Sequence, residues 1–96
     1  MIKINLSPKA PDIVHEIKKI IKELDHPEDY CLTLQLDYRD HNTIFYLNDV
    51  TAITFARDWL KIKQKNNSRA LFNYTMILEY CVINAEEVMN QDLGVV

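Results

Sequence analysis

Asp37, Asp40 and His41 come closest in this chain to a group that could move a proton or hold a metal weakly. Acid–base catalysis needs an acid and a base within hydrogen-bond reach of a substrate and with pKa values pushed apart. These three residues sit in a run of turn-forming types, Arg39-Asp40-His41-Asn42, between two β-type segments. A solvated turn accounts for them without any chemistry. His15 and His26 lie on and at the end of a helical segment, and neither has neighbours at metal-ligand spacing. At His26 the helix dipole favours a cation.

Cys31 and Cys81 are the only thiols. A thiol becomes a nucleophile when its pKa is lowered, and no residue near either in sequence would do that. Two cysteines match neither a disulfide framework nor a zinc motif. The single glycine is Gly94, so no Gly-rich loop can cradle a phosphate. The expectation is a protein that is not an enzyme and holds no cofactor or metal.

One further set of residues could act on a charged partner. Arg57, Lys61, Lys63, Lys65 and Arg69 form a basic stretch interrupted only by Asp58. Phosphate contacts supply much of the affinity of nucleic-acid binders. The net charge of −3 weighs against such a partner, so nucleic acid stands as the alternative. In a helical reading Trp59 points to the apolar side, away from this stretch.

These residues need elements to position them. Residues 2–6 alternate apolar and polar, as a strand does. Pro11 suits a first helical position, and Ile13, Val14, Ile17, Ile20, Ile21 and Leu24 then share one helical face before Asp25-His26-Pro27 ends it. Residues 30–38 alternate clearly, with Tyr30, Leu32, Leu34, Leu36 and Tyr38 on one side, and pair as a hairpin with residues 43–47. Asn48 or Asp49 is placed to cap a second helix, with Ala52, Phe55, Ala56, Trp59, Leu60 and Ile62 on its apolar side.

The last segment supports two periods. Phe72, Tyr74, Met76, Leu78, Tyr80 and Val82 alternate like a strand. Leu71, Tyr74, Ile77, Leu78, Cys81, Val82, Ala85, Val88 and Met89 also fall in one helical arc of about 140°. The helical phase continues through 85–89 and is preferred, giving one helix over 68–91. The fold expected is a single α+β domain spanning 1–96, a three-stranded sheet with helices in the order βαββαα. A ferredoxin-like βαββαβ arrangement, with residues 71–83 as the fourth strand, is the alternative. The core is expected to contain Ile4, Ile17, Ile20, Ile21, Leu24, Leu34, Leu36, Ala56, Trp59, Leu60, Leu78 and Cys81.

On the final helix Phe72, Met76, Tyr80 and Ile83 form a second apolar stripe outside the main arc. Such a stripe has the composition of a protein interface. The expected function is therefore a small protein-binding module, a homodimer or a regulatory or inhibitory subunit of a larger protein. No run of about 18 apolar residues is present to span a membrane, and no signal-peptide pattern opens the chain. A cytoplasmic protein is expected.

Overall fold

In the computed structural model, which describes residues 2–37 and 42–88, the chain is mainly β. The elements are β1 (Lys3–Leu6), α1 (Asp12–Glu23), β2 (Tyr30–Leu36), β3 (Thr43–Tyr46), β4 (Val50–Phe55), β5 (Trp59–Gln64), β6 (Arg69–Asn73) and β7 (Ile77–Asn84). A four-stranded sheet has the order β1-β4-β5-β6, and a three-stranded sheet has the order β3-β2-β7. β1 runs parallel to β4, and the other pairs are antiparallel.

The first half follows its local pattern. Pro11 precedes α1 with an extended backbone, Asp12 lies in the first turn where the dipole favours an anion, and Lys22 lies in the last. Val14, Ile17 and Ile21 enter the core. β2 and β3 form the expected antiparallel pair, with Leu32 opposite Phe45.

The second half departs from both expected topologies. The segment expected as a helix over 49–62 is a strand, a turn and a second strand. Ile53 and Phe55 point inward from β4, and Leu60 and Ile62 point inward from β5. The same residues satisfy a helical spacing, but Val50, Thr51, Ile53 and Thr54 are β-branched and lose less side-chain freedom in a strand. The helix expected over 68–91 is replaced by β6, a 3-10 turn at Tyr74–Met76 and β7. Only residues 85–88 of that stretch are α-helical among those described.

Side-chain chemistry interrupts the helix at Asn73. The Asn73 carboxamide oxygen accepts from the Thr75 backbone N–H at 3.0 Å and from its hydroxyl at 2.8 Å. This local bonding competes with a helical ladder. The turn carries the chain from one sheet to the other. The Tyr74 hydroxyl donates to the Ala56 carbonyl at 2.9 Å on the four-stranded side. The Asp37 N–H donates to the Met76 carbonyl at 3.0 Å on the other. A second 3-10 turn, Leu47–Asp49, makes the reverse change of sheet between β3 and β4, with Leu47 buried.

The inner faces of both sheets and one face of α1 share a core containing Leu32, Leu34, Leu36, Phe45, Ile53, Phe55, Leu60, Ile62 and Phe72. Of the residues expected inside, Ile17, Ile21, Leu34, Leu36 and Leu60 are buried, while Ile4 and Leu24 pack at its margin. Ile20, Trp59, Leu78 and Cys81 are instead exposed and Ala56 is half-buried. Trp59 faces outward because its neighbour Leu60 faces in, and strand alternation sends successive side chains to opposite faces. Leu78 is the extra residue at a bulge, where Gln35 pairs with Glu79 and Leu36 pairs with Ile77.

Candidate functional site

The outer face of the four-stranded sheet is built from every second residue of its strands. Its rows follow from the register. Lys3 pairs with Ala52, Ala52 with Lys63, and Lys63 with Arg69. Asn5 pairs with Thr54, Thr54 with Lys61, and Lys61 with Leu71. Trp59 pairs with Asn73 and accepts at its carbonyl from the Ala56 N–H at 3.0 Å. The Asn5 carboxamide donates to the Thr54 hydroxyl at 3.3 Å across the parallel pair, which puts β1 and β4 in common register on this face.

Four cations, Lys3, Lys61, Lys63 and Arg69, thus share one surface on which no row contains a carboxylate. None of the four makes an ion pair among the described residues. Lys63 and Arg69 are directly opposite one another, a placement that brings their Cβ atoms to about 4.5–5.5 Å and is destabilising for like charges. Trp59 is 37% exposed and Leu71 is 65% exposed beside them. The nearest acid along the chain is Asp58, in the β4–β5 turn, where its carboxylate lies 4.0 Å from the Arg57 guanidinium.

The sequence-derived basic stretch is therefore divided by the fold. Lys61, Lys63 and Arg69 converge on the face. Arg57 lies in the adjacent turn, and Lys65 lies in the β5–β6 turn beside Pro27, Glu28, Leu47 and Val50. Lys3 and the outward Trp59 were missed. The signal for Trp59 was the alternation Trp59-Leu60-Lys61-Ile62-Lys63, which matches a strand as well as a helix. No signal in the sequence pairs β1 with β4.

The expected interface stripe is dispersed. Phe72 is buried in the core on β6, and Met76 is exposed in the 3-10 turn. Tyr80 and Ile83 lie on opposite faces of β7, opposite Leu34 and Cys31 respectively. The Tyr80 hydroxyl is buried and has no hydrogen-bond partner among the described residues. Burial, and then the nearby Glu16 carboxylate, push its pKa up.

Asp37 is exposed at the end of β2, whereas Asp40 and His41 lie outside the described residues. His15 and His26 are exposed on and beyond α1, and His26 Nδ1 lies 3.3 Å from a Glu28 carboxylate oxygen. No cluster of three metal-ligating side chains occurs among the described residues.

Cys81 is exposed on β7, with its sulfur 3.0 Å from the Thr33 hydroxyl, while Cys31 is fully buried on β2. Burial pushes the Cys31 thiol up in pKa, away from the reactive thiolate. A cleft of about 390 Å³ between α1 and β1 is lined by Ile2, Ile4, Ile21, Leu24 and Pro27, with Lys22 and Asp25 at its edge. Its chemistry is apolar and its two charges are opposite. No described helix is long and apolar enough to cross a membrane.

No protein-family profile, curated protein or solved structure matches this chain.

Proposed function

We propose that this protein binds nucleic acid through the outer face of its four-stranded sheet. The observation that carries the reading is the segregation of charge. The chain is acidic as a whole, with a net charge of −3, yet Lys3, Lys61, Lys63 and Arg69 occupy one face in register and without a carboxylate among them. Local charge, rather than the total, sets the field that a polyanion meets at a surface. Setting Lys63 opposite Arg69 costs stability, and phosphate groups would offset that repulsion.

The test is binding of a fluorescently labelled oligonucleotide at several salt concentrations. Up to four phosphate contacts on a single strand give a slope of log K against log salt of about −2 to −3. Lys61→Glu combined with Lys63→Glu and Arg69→Glu should abolish binding while the protein stays folded, because all three side chains are on the surface. Absence of salt-dependent binding at low ionic strength would reject the reading. So would binding to anionic lipid vesicles but not to nucleic acid.

A protein-binding role, with a second copy as partner, rests on a separate observation. β7 is an edge strand of the three-stranded sheet, with Leu78 63% exposed on it and Met76 43% exposed just before it. Edge strands with exposed apolar side chains are ready templates for association. Met76→Glu with Leu78→Glu should turn a concentration-dependent dimer into a monomer in a solution mass measurement. A wild-type protein that is monomeric at high concentration removes this second role and leaves the nucleic-acid reading untouched.

A further inference from the structure

We infer, building on the nucleic-acid reading above, that the sheet face is a single-strand platform on which Trp59 stacks a base. Trp59 is the only tryptophan of the chain. It stands 37% exposed on the same face as Lys61 and Lys63, in line with them along β5. Alternate strand residues recur at about 6.6–6.8 Å, so an aromatic ring is followed along one strand by two cations at regular steps. Leu71 extends the apolar end of this line. It is 65% exposed on β6, opposite Lys61 and diagonal to Trp59.

A single strand can present both parts that this line fits, an unstacked base for the ring and successive phosphates for the lysines. A duplex presents phosphates and base edges but no free base face for the ring, since its bases are stacked and paired. Nor can the face enter a major groove. Four strands span about 14 Å between their outer backbones before side chains are added, against a groove about 12 Å wide. Asp58 precedes Trp59 in sequence, but its charge is offset by Arg57 at 4.0 Å.

Intrinsic fluorescence tests this directly, because all tryptophan emission comes from Trp59. A short oligothymidylate is titrated at low salt, alongside a duplex of equal length. The single strand should quench the emission and bind about tenfold or more tightly than the duplex. Neither Trp59→Ala nor Trp59→Phe keeps a tryptophan, so their binding is read from a fluorescently labelled oligonucleotide. Trp59→Ala should weaken single-strand binding about tenfold and leave the salt slope unchanged, while Trp59→Phe, which keeps a stacking ring, should retain most of the affinity. Circular dichroism of each variant confirms the fold. Duplex binding as tight as single-strand binding, or unchanged affinity in Trp59→Ala, overturns the inference while leaving salt-dependent nucleic-acid binding in place. Failure of both nucleic acids to bind overturns the inference together with the reading it rests on.

Discussion

The rings of Phe45 on β3 and Phe72 on β6 meet edge to face, with centroids 5.9 Å apart and planes inclined at 73°. The contact joins two strands that belong to different sheets and that form an outer strand of each. Edge-to-face geometry sets the positive rim of one ring against the negative face of the other, which adds about 0.5–1.5 kcal/mol to the burial of the two side chains. Here the two sheets are held to each other by a specific contact as well as by general apolar packing.

Phe72→Ala is accordingly expected to destabilise the fold by about 3–5 kcal/mol, since it removes a buried aromatic side chain and leaves a cavity. Denaturant unfolding measures this. A change below about 0.5 kcal/mol would mean that Phe72 lies on a surface rather than between the sheets.

Lys63→Glu should raise stability and lower nucleic-acid affinity together. The substitution replaces a like-charge pair with an opposite-charge pair across from Arg69, a change worth about 0.2–1 kcal/mol. Denaturation and oligonucleotide binding on the same variant check the two signs. A loss of stability would show that the Lys63–Arg69 repulsion is relieved within the protein.

Asn67 has φ of 66° in the turn between β5 and β6. Its N–H donates to the Gln64 carbonyl at 3.0 Å, and the Gln64 N–H donates to the Ser68 carbonyl at 3.0 Å. The left-handed position closes the hairpin, and asparagine tolerates it better than any β-carbon-bearing residue without a short polar side chain. Asn67→Ala should cost about 1–2 kcal/mol, whereas Asn67→Gly should be close to neutral, as read by thermal unfolding.

Tyr74 should govern part of the alkaline stability. Its pKa is pushed up to about 12, first by burial and then by the nearby Tyr80 phenol. The ordinary unfolded value is about 10. A folded pKa above the unfolded one means that the stabilisation is complete below about pH 10 and is lost as pH rises toward about 12. Ultraviolet titration should show late ionisation from Tyr74 and from Tyr80, whose pKa is also raised, and Tyr74→Phe should remove one late-ionising tyrosine from it. In that variant stability should also fall less steeply across this window, since it lacks the titrating group.

Local pattern determined the first half of the fold. β1, α1 and β2 each carry one clear period, alternation in Lys3–Leu6 and Tyr30–Leu36 and a helical stripe through Val14, Ile17 and Ile21 after Pro11, and the β-type residues of β3 follow turn-forming types. The cations Lys61, Lys63 and Arg69 were likewise legible as a basic stretch. Tertiary structure decided the rest, because residues 49–62 and 68–91 place apolar side chains at spacings that satisfy helix and strand alike. Backbone pairing resolved that tie. Ile62 is fully buried on β5, which lies between β4 and β6 and faces the core shared with α1 and the other sheet, a neighbourhood that no window of sequence contains. The same pairing brought Lys3 from the start of the chain onto the basic face and turned Trp59 outward. Side-chain direction along a strand depends on which sheet covers its other face, and that is a property of distant contacts.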